Sequence, residues 1–114
     1  MKEIKISLFE QVAGSAVVSS EDGDLLFKRL LKALENDMQV IIDFTNIELV
    51  SASFLNVTMG QLYNQYDSFF LDKHIKFENI VEEDIILIKK VVERAKEYFQ
   101  NKEKVEKGIK EVLG

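Results

Sequence analysis

Met38-Gln39-Val40-Ile41-Ile42-Asp43-Phe44, then Thr45-Asn46-Ile47-Glu48, Leu49-Val50 and Ser51-Ala52-Ser53-Phe54-Leu55, is the stretch that decides the fold. Its first segment groups β-branched residues without alternation, the pattern of a strand covered on both faces by helices. Thr45 to Glu48 supplies turn chemistry. After Leu49 and Val50, a serine hydroxyl in Ser51-Ala52-Ser53 can accept a hydrogen bond from an orphaned amide at a helix N-terminus. The helix that follows puts Leu55, Met59, Leu62 and Tyr66 on one face and turns Asn56, Thr58, Gln61 and Asn64 outward. That outer side is polar but almost uncharged in a chain with 31% charged residues, which suits a surface that meets something.

Upstream, Lys2 to Phe9 alternates Ile4, Ile6 and Leu8 with polar residues, the period of a half-buried strand. Gln11 to Ser15 turns around Gly14, and Ala16-Val17-Val18 adds a short strand. Ser19-Ser20 followed by Glu21, Asp22 and Asp24 combines an N-cap with acidic residues favoured by the positive end of a helix dipole. The helix it starts carries Leu26, Phe27, Leu30, Leu31 and Leu34 as far as Asn36-Asp37.

Downstream, Phe69-Phe70-Leu71 is expected to close the core, Asp72-Lys73 to turn, and His74 to Phe77 to form a short strand. Asn79 with Glu82 three residues on reads as a capping pair for a long last helix beginning near Ile80. Its core stripe runs through Ile85, Ile88, Val91, Val92, Ala95, Tyr98 and Phe99. Val105, Ile109, Val112 and Leu113 revive the apolar period in a charged tail. This order predicts an α/β domain over residues 1–100, with a mixed, largely parallel sheet of about four strands under helices, and a helical tail over 101–114.

A chain of 114 residues with 46% hydrophobic content is one ordinary domain. A net charge of −5 argues against nucleic-acid binding, and no apolar run is long enough for a membrane span or a secretory signal, so a cytoplasmic location is expected. There are no cysteines, and His74 is the only histidine, so neither a metal site nor a cofactor is expected. Ser51 and Ser53 lack a neighbouring histidine and a nucleophile-elbow pattern, and Gly14-Ser15 lacks the lysine of a phosphate loop. The acidic groups Glu21-Asp22-Asp24 and Glu82-Glu83-Asp84 are explained by helix-start electrostatics. An enzyme is therefore not expected.

The run from Val40 to Leu55 resembles the central signature of the STAS superfamily, which includes the bacterial anti-sigma factor antagonists, and is closer still to its uncharacterised STAS-like domain family. Val18-Ser19-Ser20-Glu21 and Phe77-Glu78-Asn79-Ile80 extend the resemblance. Aligned without a gap from Asp43, the antagonists' phosphorylated serine falls on Ala52, which has no hydroxyl, leaving only the neighbours Ser51 and Ser53 for a displaced phosphorylation. The resemblance implies a regulatory module that binds a protein, such as a histidine-kinase-like ATPase, through Asn46, Glu48, Ser51, Ser53 and Phe54. Two alternatives stand beside it: a small-ligand or nucleotide sensor with a pocket between sheet and helices, and a self-associating structural module. A pocket of several hundred cubic ångströms favours the sensor, and a filled core with an apolar patch favours a partner.

Overall fold

Three strands, β1 (Glu3–Ser7), β3 (Gln39–Asp43) and β5 (Ile75–Glu78), pair in parallel in the order β1-β3-β5, with the segment that decides the fold at the centre. Two further strands, β2 (Ala16–Val17) and β4 (Leu49–Val50), form a separate parallel pair. These features come from a computed structural model that describes residues 1–113, with side chains for residues 1–100. The helices are α1 (Leu8–Val12), α2 (Ser20–Glu35), α3 (Ala52–Leu55), α4 (Gln61–Gln65), α5 (Ser68–His74) and α6 (Glu82–Leu113), with a π-helical segment at Asn56–Gly60 joining α3 to α4. The apolar period expected at Val105, Ile109, Val112 and Leu113 lies outside the residues whose side chains are described.

Strand register explains how the sheet is covered. Ile4, Val40 and Ile75 stand opposite one another, as do Ile6, Ile42 and Phe77, and these two rungs face the helices. The alternate rungs are Lys5, Ile41 and Lys76, then Ser7, Asp43 and Glu78. Accordingly Val40 and Ile42 are buried whereas Ile41 between its two lysines is only partly so. The unbroken apolar run had suggested cover on both faces. Its neighbours decide otherwise, because two charged flanks keep that side of the sheet near water.

Core-facing Leu26, Leu30 and Leu34 from α2, Phe54 and Leu55 from α3, Met59, Leu62, and Ile88 and Val91 from α6 complete one hydrophobic core. Gly23 lets α2 pass close to α3, since a Cβ there would lie 3.1 Å from both the Phe54 carbonyl oxygen and the Val57 Cβ. Within the π-helical segment the buried Thr58 hydroxyl donates to the carbonyls of Phe54 and Leu55 at 3.0 and 3.3 Å. Thr58 therefore faces inward, contrary to the outward position that simple 3.6-residue spacing assigns it.

Other local expectations also yield to side-chain hydrogen bonding. Leu8 and Phe9 leave the first strand because Ser7 caps a helix there, accepting from the Glu10 amide at 3.2 Å. Asp67 likewise caps α5 through the Phe70 amide at 2.8 Å, so Asp72 and Lys73 are helical rather than a turn, and Phe69 is 81% exposed while Leu71 enters the core. His74 ends that helix rather than starting a strand. Its buried ring is stacked on Phe70 and hydrogen-bonded through Nδ1 to the Phe70 carbonyl and through Nε2 to Asp37, both at 2.8 Å. This ties α5 to the turn between α2 and β3.

Candidate functional site

The C-terminal end of β3 is fixed by a carboxylate. Asp43 Oδ1 accepts hydrogen bonds from the Thr45 amide at 3.0 Å, the Thr45 hydroxyl at 2.7 Å and Asn79 Nδ2 at 3.0 Å. These donors, Asn79 first and then Thr45, with Lys5 adding a smaller attraction, hold the Asp43 carboxyl down at about 2. Lys5 itself is paired with Glu78 at 2.8 Å, and that bond and charge raise the pKa of its ammonium. Asn46 then takes a left-handed conformation, φ 67°, which an asparagine tolerates better than most residues. The Ile47 amide bonds back to the Phe44 carbonyl, closing a tight turn that delivers Glu48 and Leu49 to β2.

Ser51 joins this loop to α3. Its hydroxyl accepts from the Phe54 amide at 3.0 Å and donates to the Val18 carbonyl at 2.8 Å, so the predicted cap is formed and its lone proton is also used. Asn46, Glu48 and Ser53 are exposed, as an interface requires. Phe54 is not: at 1% exposure it belongs to the core and supports the loop from beneath, a correction to its place among surface contacts. Asn56, Gln61 and Asn64 are exposed on the same helical run, without Thr58.

Asn79 requires a second correction. Its φ of 54° and its bond to Asp43 place it before α6 as a tie to β3, not as the cap of that helix. The first turn of α6 instead closes on the Val81 carbonyl, which accepts from the amides of Asp84 and Ile85 at 3.1 Å. Sequence spacing alone could not separate the two roles, because both use an exposed asparagine side chain next to a helix.

Sequence reasoning missed the groove beside this loop. Leu49, Val50, Ile86 and Leu87 line it together with Glu48, Glu83, Asp84 and Lys90, enclosing about 340 Å³ between β4 and the first turns of α6. Leu49 and Ile86 are 58% and 48% exposed. Burial, with Glu83 nearby as a lesser cause, raises the Asp84 carboxyl above its ordinary range. Glu83 and Asp84 had read only as helix-start residues; their approach to Glu48 and Leu49 is purely tertiary.

Two other surface grooves of about 370 and about 320 Å³ run along α6, the first lined by residues that include Tyr63, Tyr66, Lys96 and Phe99 and the second by residues that include Gln61, Tyr98 and Phe99. Spaces lined by residues of both the sheet and the helices are far smaller, about 50 and about 10 Å³. Among the described residues no group of three or more His, Asp or Glu side chains is placed to hold a metal ion. Nor is any described helix long and apolar enough to cross a membrane.

A parallel α/β sheet with a capped loop after its central strand, and a long terminal helix, defines a STAS-like domain. The model of the family described as "STAS-like domain of unknown function (DUF4325)" matches residues 22–84, more than half of the chain, and the chain belongs to that family. The matched segment runs from α2 through the loop to the start of α6. No curated protein and no solved structure gives a significant match.

Proposed function

We propose that this chain is a regulatory interaction module that binds a protein through the turn after β3 and the start of α3. The single observation that carries the reading is a fixed loop with exposed side chains: Asp43 and Ser51 fasten its two ends, while Asn46, Glu48, Leu49 and Ser53 remain exposed, Glu48 held only by a long 3.5 Å bond from the Ser15 hydroxyl. Loops held by a rigid scaffold carry recognition because their contacting groups are already in place when the partner arrives. The near-filled space between sheet and helices supports a partner over a small-ligand sensor.

The resemblance to anti-sigma factor antagonists favours a histidine-kinase-like ATPase as the partner class. Any phosphorylation at this loop falls on Ser53 in preference to Ser51, since the Ser51 hydroxyl is committed twice, whereas that of Ser53 makes no hydrogen bond among the described residues. Retrieval of partners from the native host with wild type, Ser53→Asp and Glu48→Arg tests the proposal, with circular dichroism showing that both variants fold. One partner retained by wild type and lost by both variants is the expected result. Equal recovery by all three proteins refutes this surface as the binding site.

A further inference from the structure

The groove between β4 and α6 carries a more specific inference, which rests on the interaction reading above. Consecutive strand residues alternate sides, yet both residues of β4, Leu49 and Val50, line the groove, with Glu48 just before them, and no β2 residue does. The groove therefore follows the free edge of β4 and not a face of the β2–β4 pair.

Backbone bonding gives that edge its chemistry. The amides of Leu49 and Ser51 bond toward β2, to the carbonyls of Ser15 and Val17. In a parallel ladder the intervening residue turns its amide and carbonyl the opposite way. Val50 accordingly directs both groups away from β2, and among the described residues they make no backbone hydrogen bond. An edge with such groups is a template for another extended chain.

The side chains select the occupant. Exposed Leu49 and Ile86 offer apolar contact, while Glu48, Glu83 and Asp84 outnumber the single cation, Lys90. We propose that β4 accepts an extended peptide segment of a partner protein as an added strand, one that alternates apolar with basic side chains. The apolar residues would rest on Leu49 and Ile86, the basic ones on the acidic rim, and the peptide backbone on Val50.

The test uses the full chain, isotopically labelled, titrated with the acetylated and amidated hexapeptide Lys-Ile-Lys-Val-Lys-Ile to millimolar concentration. Controls are the same peptide with Glu in place of Lys, and with the backbone nitrogens of its central residues methylated. The expected result is that the Val50 amide shifts most and its hydrogen exchange slows at least tenfold, that both controls bind at least fivefold more weakly, and that Glu48→Lys weakens binding at least fivefold. Absence of shifts at Val50, equal binding of either control, or shifts confined to another surface overturns the proposal. So does a Val50 shift that grows with protein concentration without peptide, which assigns the groove to a second copy of the chain. The two readings separate by their readouts, since the peptide titration reports on Val50 and retrieval of the host partner by wild type and Ser53→Asp reports on the loop. Failure of the peptide with a Ser53-dependent partner intact therefore refutes only the added strand.

Discussion

Replacing Asp43 by alanine removes the acceptor of three hydrogen bonds at once and frees the turn from both β5's exit and its own Thr45. Hydrogen bonds to a charged group contribute about 1.5–3 kcal/mol when well formed, and bonds sharing one acceptor do not add, so Asp43→Ala should cost about 2–3 kcal/mol. Asn79→Ala removes one of the three and should cost about 1 kcal/mol in the wild-type background. With Asp43 already alanine, the same substitution should cost close to nothing, giving a coupling of about 1 kcal/mol. Urea denaturation of the four proteins, followed by circular dichroism, measures all four free energies under a two-state treatment suited to a chain of this size. The same network sets an acid limb. The Asp43 carboxyl titrates at about 2 in the fold against an ordinary 3.8, so its contribution is complete above pH ~4 and is lost as pH falls from there toward 2. Asp43→Asn should reduce that loss. If Asn79→Ala costs the same with and without Asp43, the tie to β3 contributes nothing, and Asn79 acts on α6 as its sequence position suggests.

Ser51→Ala should cost about 1–2 kcal/mol by urea denaturation because the hydroxyl both caps α3 and holds Val18, whereas Ser53→Ala should stay within about 0.5 kcal/mol. Gly23→Ala should destabilise by about 1 kcal/mol despite alanine's higher helix propensity, since its methyl would press on the Phe54 carbonyl at 3.1 Å; Gly14→Ala, with nothing within 4 Å, should change little. His74→Ala should lower stability by about 2–4 kcal/mol, through loss of packing against Phe70 and of both ring hydrogen bonds, with Asp37→Ala reproducing only a fraction of it.

Much of the fold follows from local chemistry that needs no tertiary knowledge. The β-branched run at Val40 to Ile42, the serines before α2 and α3, and the leucine stripe of α2 each satisfy a single-element rule, so they are legible from spacing alone. The turn at Thr45 to Glu48 and the helix start at Ser51 were legible too, but the pairing of Leu49 and Val50 with β2 was not, because a two-residue strand shows no period of its own. What the chain's order does not reveal is which elements meet. Lys5 and Lys76 flank Ile41 only when three strands distant in sequence align, and that alignment leaves one sheet face near water. Asn79 looked like a helix cap until β5 carried it beside Asp43, where a carboxylate offered the stronger partner. Thr58 lies inward because the π-helical segment departs from 3.6-residue spacing, and its buried hydroxyl is satisfied by the carbonyls of its own preceding turn. The groove depends on Glu48 and Leu49 lying against Glu83 and Ile86, residues more than thirty positions apart. Sequence thus determined the central strand, the leucine face of α2 and the serine caps of α2 and α3, which are set by neighbours along the chain. Tertiary structure decided the exposed sheet face, the partner of Asn79 and the groove, because each arises only where separate elements are brought together by burial of a common core.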